Sequence, residues 1–200
     1  LGEYREAMHG FAAMRDMDVW YSRLDVEKLT DRWEGAITGR DRKRFERNLE
    51  KAKNKDSLRA LEKLTVREAG VLRFASRPPL LVPIEELAGD EDAARAEEIA
   101  KEVLTSYRRT LTPQHRQLVS GYSYAHAAHK VVGVGSVGNR AWVALLLGRD
   151  TDDPLFLQFK EAQSSVLEPY TTKSRYSQHG RRVVEGQRLT QAAGDPLLGW

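Results

Sequence analysis

The chain has 200 residues, of which 40% are hydrophobic and 30% are charged, and it contains no cysteine. These proportions are typical of a folded domain and exclude a disordered or collagen-like chain. No apolar run reaches the roughly 18 residues of a membrane-spanning helix. The net charge of +3 is compatible with anionic ligands and does not by itself indicate nucleic acid. Disulfides and cysteine metal sites are excluded, and we expect a cytoplasmic protein.

Residues 1–120 are predicted to be mostly helical. Residues 3–25 predict a helix with one buried stripe, because apolar residues recur every three or four positions. The stripe consists of Tyr4, Met8, Phe11, Met14, Met17, Tyr21 and Leu24. Residues 40–54 predict a second helix in a very basic stretch. Only the aromatic Phe45 interleaves with those charges, so a solvated helix face is favoured over a nucleic-acid surface.

The chain then changes character at residues 70–84, where prolines interrupt a short strand or hairpin and indicate a sheet edge. Another helix is expected from Asp90, with acidic residues at its start and basic residues at its end. Thr112-Pro113 begins a further helical turn. We expect the helical part to end near residue 120, and residues 121–200 to be a β-rich part of the same larger domain.

The β-rich part is organised around a glycine-rich segment, Lys130-Val-Val-Gly-Val-Gly-Ser-Val-Gly138. An apolar run follows, then a polar turn, then a second run that ends in Lys160. This pattern predicts three antiparallel strands near 129–134, 141–147 and 155–160, with the glycines in the first hairpin loop.

The flanking sequence decides which kind of glycine loop this is. A dinucleotide-binding loop runs from a strand into a helix, whereas here a second strand follows. No Gly-Lys-Ser/Thr follows the glycines, which excludes a Walker loop, and a serine-hydrolase elbow fails because Val134 precedes Ser136 by two. The strand–loop–strand pattern fits the glycine-rich cover of protein kinases and aminoglycoside phosphotransferases. The alternative is a glycine-rich hairpin turn without a ligand.

A lysine on a neighbouring strand can neutralise a polyphosphate that such a loop covers. The predicted nucleotide-binding residues are Gly133, Gly135, Ser136, Val137, Gly138 and Lys160. A helix is predicted over 181–193, packed beside the sheet, and Glu185 within it is the candidate to orient Lys160. Its rivals for that role are Glu161 and Glu168. Alternatively, Glu185 faces solvent and pairs with Arg181 or Arg188 of its own helix.

Metal and catalytic chemistry is sparse in these residues. His126 and His129 could place two imidazoles on one helix face, but the segment leads into a strand and a third ligand is not evident. Structural or surface histidines are therefore favoured. No catalytic residue and no metal ligand is predicted within the chain.

Several blocks of the sequence closely resemble the bacterial domain-of-unknown-function family 2252. They are Lys130–Gly138, Asp153–Ala162, Ser165–Tyr170 and His179–Arg188, with Tyr4–Met8 and Asp18–Tyr21 near the start. The resemblance covers essentially the whole chain. Family members look like circularly rearranged relatives of aminoglycoside phosphotransferases.

In that family a Gly-Asp-x-His-x-x-Asn-Phe motif and an Asp-Phe-Asp-like metal motif lie upstream of the region that this chain resembles. Neither motif occurs in these 200 residues. The chain also reads His126-Ala-Ala-His-Lys130 where the family pattern has Asp-Val-Ala-Arg-Lys. At the position of that aspartate this chain has His126, so any role of the aspartate is not carried over. The resemblance, together with a start at Leu1 rather than methionine, implies a piece of a longer protein.

We therefore expect an α+β fold: a kinase-like nucleotide lobe, with an antiparallel sheet, a glycine-loop hairpin and a packed helix, preceded by a mostly helical region. The expected function is the ATP-binding portion of a phosphotransferase whose catalytic motifs lie outside the chain. ATP and Mg²⁺ are the expected cofactors of the full-length protein, and its acceptor substrate is open. The first alternative is a non-catalytic nucleotide-binding or regulatory module, and a nucleic-acid-binding protein is the weaker one. No membrane partner is expected.

Overall fold

The computed structural model describes residues 1–22, 39–53, 57–89, 92–131, 133, 138–191 and 194–200. The chain is a mixture of helices and two antiparallel sheets. Its helices are α1 (Gly2–Ala12), α2 (Asp16–Tyr21), α3 (Gly39–Lys53), α4 (Ser57–Leu64), α5 (Ile84–Ala88), α6 (Ala93–Thr110), α7 (Pro113–Ser120) and α8 (His179–Thr190). Its strands are β1 (Thr65–Glu68), β2 (Val71–Phe74), β3 (Leu81–Pro83), β4 (Ser123–Lys130), β5 (Ala141–Leu147) and β6 (Pro154–Lys160).

The smaller sheet is the β1–β2 hairpin; β2 falls within residues 70–84, where a short strand or hairpin is predicted, whereas β1 begins earlier, at Thr65. Its two-residue turn has positive φ at both central residues, 48° at Ala69 and 82° at Gly70. Such a turn matches the twist of the strands on either side, and glycine reaches this conformation without strain.

The larger sheet has the order β3-β4-β5-β6, with every neighbouring pair antiparallel. The strands predicted at 141–147 and 155–160 are confirmed, the second beginning one residue earlier. The strand predicted at 129–134 begins much earlier, at Ser123, and ends at Lys130. A register shift between Tyr124 and His126 breaks its alternation, so no period of two is visible in the sequence.

Each face of the larger sheet carries its own core. On one face Ala144, Leu146 and Leu157 pack against Leu104 and Tyr107 of α6. On the other face Val143 and Leu145 pack with Phe74 of β2, and Leu61 and Leu64 of α4 lie against this cluster. Strand β5 is therefore buried on both sides, which explains its uninterrupted apolar sequence.

The N-terminal prediction is corrected in two respects. Residues 3–25 do not form one helix, because α1 ends at Ala12 and α2 begins at Asp16. The stripe residues whose exposure is described are also not buried: Tyr4, Met8 and Met17 are 67%, 48% and 58% exposed. Periodicity identifies an apolar helix face, but burial requires a partner surface. Leu24 lies outside the described residues, and so does Asn54 at the end of the second predicted helix.

Helix α8 begins two residues before the predicted start and ends at Thr190. Its polar contacts are with the segment after β6 and with the C-terminal residues: Arg182 donates to the Gln163 carbonyl and Arg188 to the Leu198 carbonyl. Within the described residues, no helix is long and apolar enough to cross a membrane.

Candidate functional site

The glycine-rich segment connects β4 to β5 in a hairpin, as the sequence predicts. Gly135, Ser136 and Val137 lie outside the described residues. Gly133 and Gly138, at the two ends of the loop, have φ of 55° and 87°. A Cβ added to either would meet no atom of the described residues within 4 Å. The positive φ at both positions is the conformation that glycine reaches without strain.

Lys160 lies at the glycine-loop end of the sheet. It pairs with Ala141, the first residue of the strand after the loop. The register His129–Trp142 continues to Lys130 opposite Ala141 on the other side, so all three side chains share one face. Two strand spacings separate the lysines, which places their Cα atoms about 10 Å apart. The ammonium groups of Lys130 and Lys160 form no ion pair within the part of the chain that the structure describes.

A third cation at this edge is already neutralised. Arg140, at the end of the loop, makes a two-point contact with Glu161 at 2.8 and 3.1 Å. The hydrogen bond from this guanidinium lowers the pKa of the Glu161 carboxyl, which keeps it ionised. Glu161 follows Lys160 directly, and alternation along the strand predicts that its side chain points to the opposite face. It is therefore occupied by Arg140 rather than available to Lys160.

The pair predicted between Lys160 and Glu185 is not formed. The Glu185 carboxylate instead meets Arg188 of its own helix at 3.4 Å, the local alternative that the sequence left open. Helix α8 is also attached to the C-terminal segment, which lies on the α6 side: Tyr107 donates to the Leu197 carbonyl at 2.6 Å. Lys160 projects to the other side of the sheet, because it alternates with Phe159, whose ring contacts Tyr107. An orienting role of Glu185 stays a prediction and requires α8 to move.

Glu168 is the second alternative to Glu185 for orienting Lys160. Glu168 begins a short 3₁₀ turn that ends at Tyr170, in the loop between β6 and α8. Its backbone N–H donates to the Ser165 carbonyl at 3.0 Å. No ion pair joins the Glu168 carboxylate to a basic side chain among the residues the structure describes.

A buried polar network joins α5, β2 and β4, and sequence reasoning missed it. His126 is 1% exposed, and its Nδ1 accepts the Phe74 backbone N–H at 2.9 Å. Its Nε2 must then carry the proton, which it donates to the Glu85 carboxylate at 3.0 Å. Arg73 completes the network with an ion pair to Glu85 at 2.9 Å. Both ring nitrogens are used, so His126 is a structural histidine.

The charge state of Glu85 follows from these neighbours. Partial burial raises the pKa of its carboxyl, but a hydrogen bond from its own backbone, together with His126 and Arg73, outweighs that effect and lowers the pKa. The sequence signal for this network is weak, since His126 stands among alanines and its partners lie 41 and 52 residues away in the chain.

The face of the sheet away from Lys160 carries an apolar cavity of about 440 Å³. Ala127, Trp142, Ala144 and Phe159 line it from the sheet, and Ile99 and Val103 line it from α6. No titratable side chain lines the cavity, so it offers no group for acid–base chemistry or phosphate binding. Among the described residues, no group of three His, Cys, Asp or Glu side chains could hold a metal ion.

Comparison with known proteins gives one match. A family model described as "Uncharacterized protein conserved in bacteria (DUF2252)" matches residues 1–200. No curated protein and no solved structure matches the chain. The model covers every residue of the sequence, including the glycine-rich segment, Lys160 and helix α8. The chain therefore belongs to this bacterial family.

Proposed function

We propose that this chain is the nucleotide-binding portion of a kinase-like phosphotransferase, with the triphosphate of ATP lying between the glycine loop and Lys160. The observation that carries the proposal is the sheet register. Lys160 is paired with Ala141, the residue at which the loop rejoins the sheet. A glycine loop and a lysine at the same sheet edge provide backbone donors and a positive charge for one polyphosphate.

Charge at this edge supports the same ligand. Lys130 and Lys160 lie on one face without a paired carboxylate among the described residues, while Arg140 is neutralised by Glu161. Like charges on β4 and β6, whose Cα atoms are about 10 Å apart across β5, repel each other. A bound triphosphate would remove that repulsion and gain two charge-assisted contacts.

The proposed roles follow the chemistry of phosphoryl transfer, in which positioning and electrostatic stabilisation dominate. Gly133 and Gly138 let the backbone approach the phosphates, and amides around Ser136 donate to phosphate oxygens. Lys160 holds charge on the phosphates. Glu185 would orient Lys160 only after its carboxylate leaves Arg188 and α8 moves. Mg²⁺ and the acid that orients the acceptor would be held mostly by residues outside this chain.

Calorimetric titration of the full-length protein with Mg-ATP, followed by turnover measurements, tests the proposal. Lys160→Ala should remove a partly desolvated contact to phosphate. We expect turnover to fall roughly 30- to 1000-fold, or about 2–4 kcal/mol in the transition state. The 200-residue chain alone should bind Mg-ATP weakly and show no turnover.

Arg149→Ala is the matched control. Arg149 follows β5, at the end of the sheet away from the glycine loop, and its side chain is 89% exposed beside Asp150. We expect wild-type binding and turnover from this variant. The proposal is contradicted if the Lys160→Ala variant keeps wild-type affinity for Mg-ATP and wild-type turnover. Mg-ATP binding that depends on Lys160, without turnover in the full-length protein, would identify a non-catalytic nucleotide-binding module instead.

A further inference from the structure

Arginine and aromatic side chains alternate along the surface between the end of β6 and the C-terminal segment. The Arg175 and Arg181 guanidiniums lie 4.9 and 5.3 Å from the centre of the Tyr176 ring. Arg181 also lies 5.5 Å from the centre of the Trp200 ring. Arg188 lies at the same distance from Trp200. The side chains therefore form one row, which we call the arginine–aromatic row: Arg175, Tyr176, Arg181, Trp200 and Arg188.

The members of this row differ in how their charge is balanced. Arg188 is paired with Glu185 and donates to the Leu198 carbonyl, so its role is structural. Arg175 donates to the neutral Tyr176 hydroxyl at 2.6 Å. Within the part of the chain that the structure describes, neither Arg175 nor Arg181 meets a carboxylate. One aromatic ring therefore holds two guanidiniums together without a counter-charge.

Ring stacking fixes the guanidinium planes and does not neutralise them. A guanidinium held against an aromatic face keeps the N–H donors at its edge free, and these donors match phosphate oxygens. Two such groups at one ring repel each other until an anion lies between them. The stacking also reduces the side-chain entropy that binding would otherwise remove. The arginine–aromatic row is therefore suited to bind an anion with several oxygen acceptors.

The extent of the positive surface limits the size of that anion. Lys173, two residues before Arg175 in the chain, adds a third exposed positive charge to this segment. Glu185 pairs with Arg188 of the row, and the flanking sequence contains two further acidic residues, Glu168 and Asp195. An extended polyanion such as a nucleic acid needs a continuous basic track. This segment instead carries three cations that form no ion pair among the described residues, together with acidic residues. A compact anion fits this charge distribution better.

We propose that Arg175 and Arg181 form a binding site for a small soluble molecule that carries a phosphate or diphosphate group. The two guanidiniums donate to its phosphate oxygens, and Tyr176 and Trp200 hold them in position. This site shares no residue with the glycine-loop edge and does not depend on the nucleotide assignment of Lys160.

Inorganic pyrophosphate is the probe, titrated calorimetrically into the full-length protein and its variants. All measurements are made in a Lys160→Ala background as well, so that pyrophosphate bound at the glycine loop does not contribute. Arg175→Gln and Arg181→Gln should each weaken pyrophosphate binding roughly 10- to 100-fold, because each removes a charge-assisted contact. Arg149→Gln, an exposed arginine at the far end of the sheet, should bind as the parent does.

Folding and ligand class are controlled separately. Arg181 also contacts Trp200, so thermal unfolding is measured for each variant, and Arg175→Gln, whose contacts are with the adjacent Tyr176, decides the result if Arg181→Gln is unstable. Unchanged pyrophosphate affinity in folded Arg175→Gln overturns the proposal. It is equally overturned if a thymidine oligonucleotide, or phosphatidylcholine vesicles containing phosphatidic acid, binds more tightly than pyrophosphate with the same dependence on Arg175. If Arg175→Gln and Arg181→Gln weaken pyrophosphate binding both with Lys160 present and in the Lys160→Ala background, the site is supported whether or not Lys160 binds nucleotide.

Discussion

At the residue scale, single hydrogen bonds hold His126 and Glu85 in place within the polar network. The Phe74 backbone N–H donates to one nitrogen of His126, which fixes the proton on the other nitrogen and directs it to Glu85. The Glu85 carboxylate also pairs with Arg73, so it has two partners in the network. Both ring nitrogens of His126 are therefore used in holding β2 and α5 to β4.

The network predicts a pH-dependent stability difference for Glu85→Gln. The pKa of Glu85 is lower in the folded state than its ordinary value of 4.5. Its stabilisation is therefore fully present above that ordinary value and is lost as pH falls through the folded pKa. At neutral pH, urea unfolding of Glu85→Gln should give a loss of about 1 kcal/mol, discounted for partial exposure. The loss should shrink as pH falls below 4.5 and through the lower folded pKa.

Glu86→Gln is the control for that measurement, because Glu86 is an exposed neighbour that accepts from the Ser76 hydroxyl at 2.7 Å. We expect its effect on unfolding to be within about 0.5 kcal/mol. Equal losses in the two variants, or a Glu85→Gln loss that does not change with pH, would contradict the role assigned to Glu85.

At the element scale, helix α8 is held in position by the C-terminal segment rather than by the sheet. Trp200 lies against Arg181 and Arg188 of α8, and its backbone N–H donates to the Thr110 hydroxyl of α6 at 3.1 Å. The segment thus bridges two helices that are 69 residues apart in the chain at their nearest ends. Any movement of α8 toward Lys160 must first disturb this bridge.

The bridge predicts that Gly199→Ala destabilises the protein. A Cβ at this position would lie 2.5 Å from the Thr110 hydroxyl and 2.9 Å from the Tyr107 ring, both held by neighbours. Overpacking of this kind costs about 1–3 kcal/mol. Gly194→Ala is the matched control, since its Cβ would meet nothing within 4 Å. Chemical unfolding of both variants checks the prediction, and equal stability would show that the segment yields without cost.

The elements that could be predicted from sequence are those whose pattern is local. An uninterrupted apolar run identified β5, and the lysine after the next run was correctly assigned to the same sheet edge. Strand β4 was recognised only in part, because its register shift near His126 removes the alternation. Glu185 contacts the nearby Arg188 in this structure, and its role toward the distant Lys160 stays a prediction, because spacing alone does not rank the two partners. The row around Trp200 depends on tertiary packing and has no sequence pattern.

At the scale of the whole molecule, the two faces of the larger sheet differ in character. The face with Lys130 and Lys160 is charged at its loop end, whereas the α6 face combines an apolar cavity with two tyrosines. Burial raises the pKa of both Tyr107 and Tyr124. The α6 face can therefore be examined through the ionisation of its phenols, independently of any ligand.

This arrangement predicts that stability falls steeply in alkaline solution. Burial, with a contribution from Asp195 and opposed by Arg108, raises the pKa of Tyr107 from 10.0 to about 12. A group whose folded pKa is raised stabilises the folded state fully below its unfolded pKa, and that stability is lost as pH rises through the folded value. Between pH 10 and 12 each such phenol should lower the free energy of unfolding by up to about 1.4 kcal/mol per pH unit.

Tyr107→Phe separates the two contributions of this hydroxyl. At neutral pH the variant should lose about 1 kcal/mol, because the hydrogen bond to the Leu197 carbonyl is removed. Above pH 10 the variant lacks the ionisable phenol, so its unfolding free energy should fall less steeply than that of the wild type and the two curves should converge. Tyr170→Phe, whose ring is 83% exposed, should follow the wild type throughout. Parallel curves for Tyr107→Phe and the wild type up to pH 12 would mean that Tyr107 does not resist ionisation in the folded protein, and that the core between α6 and the sheet admits water.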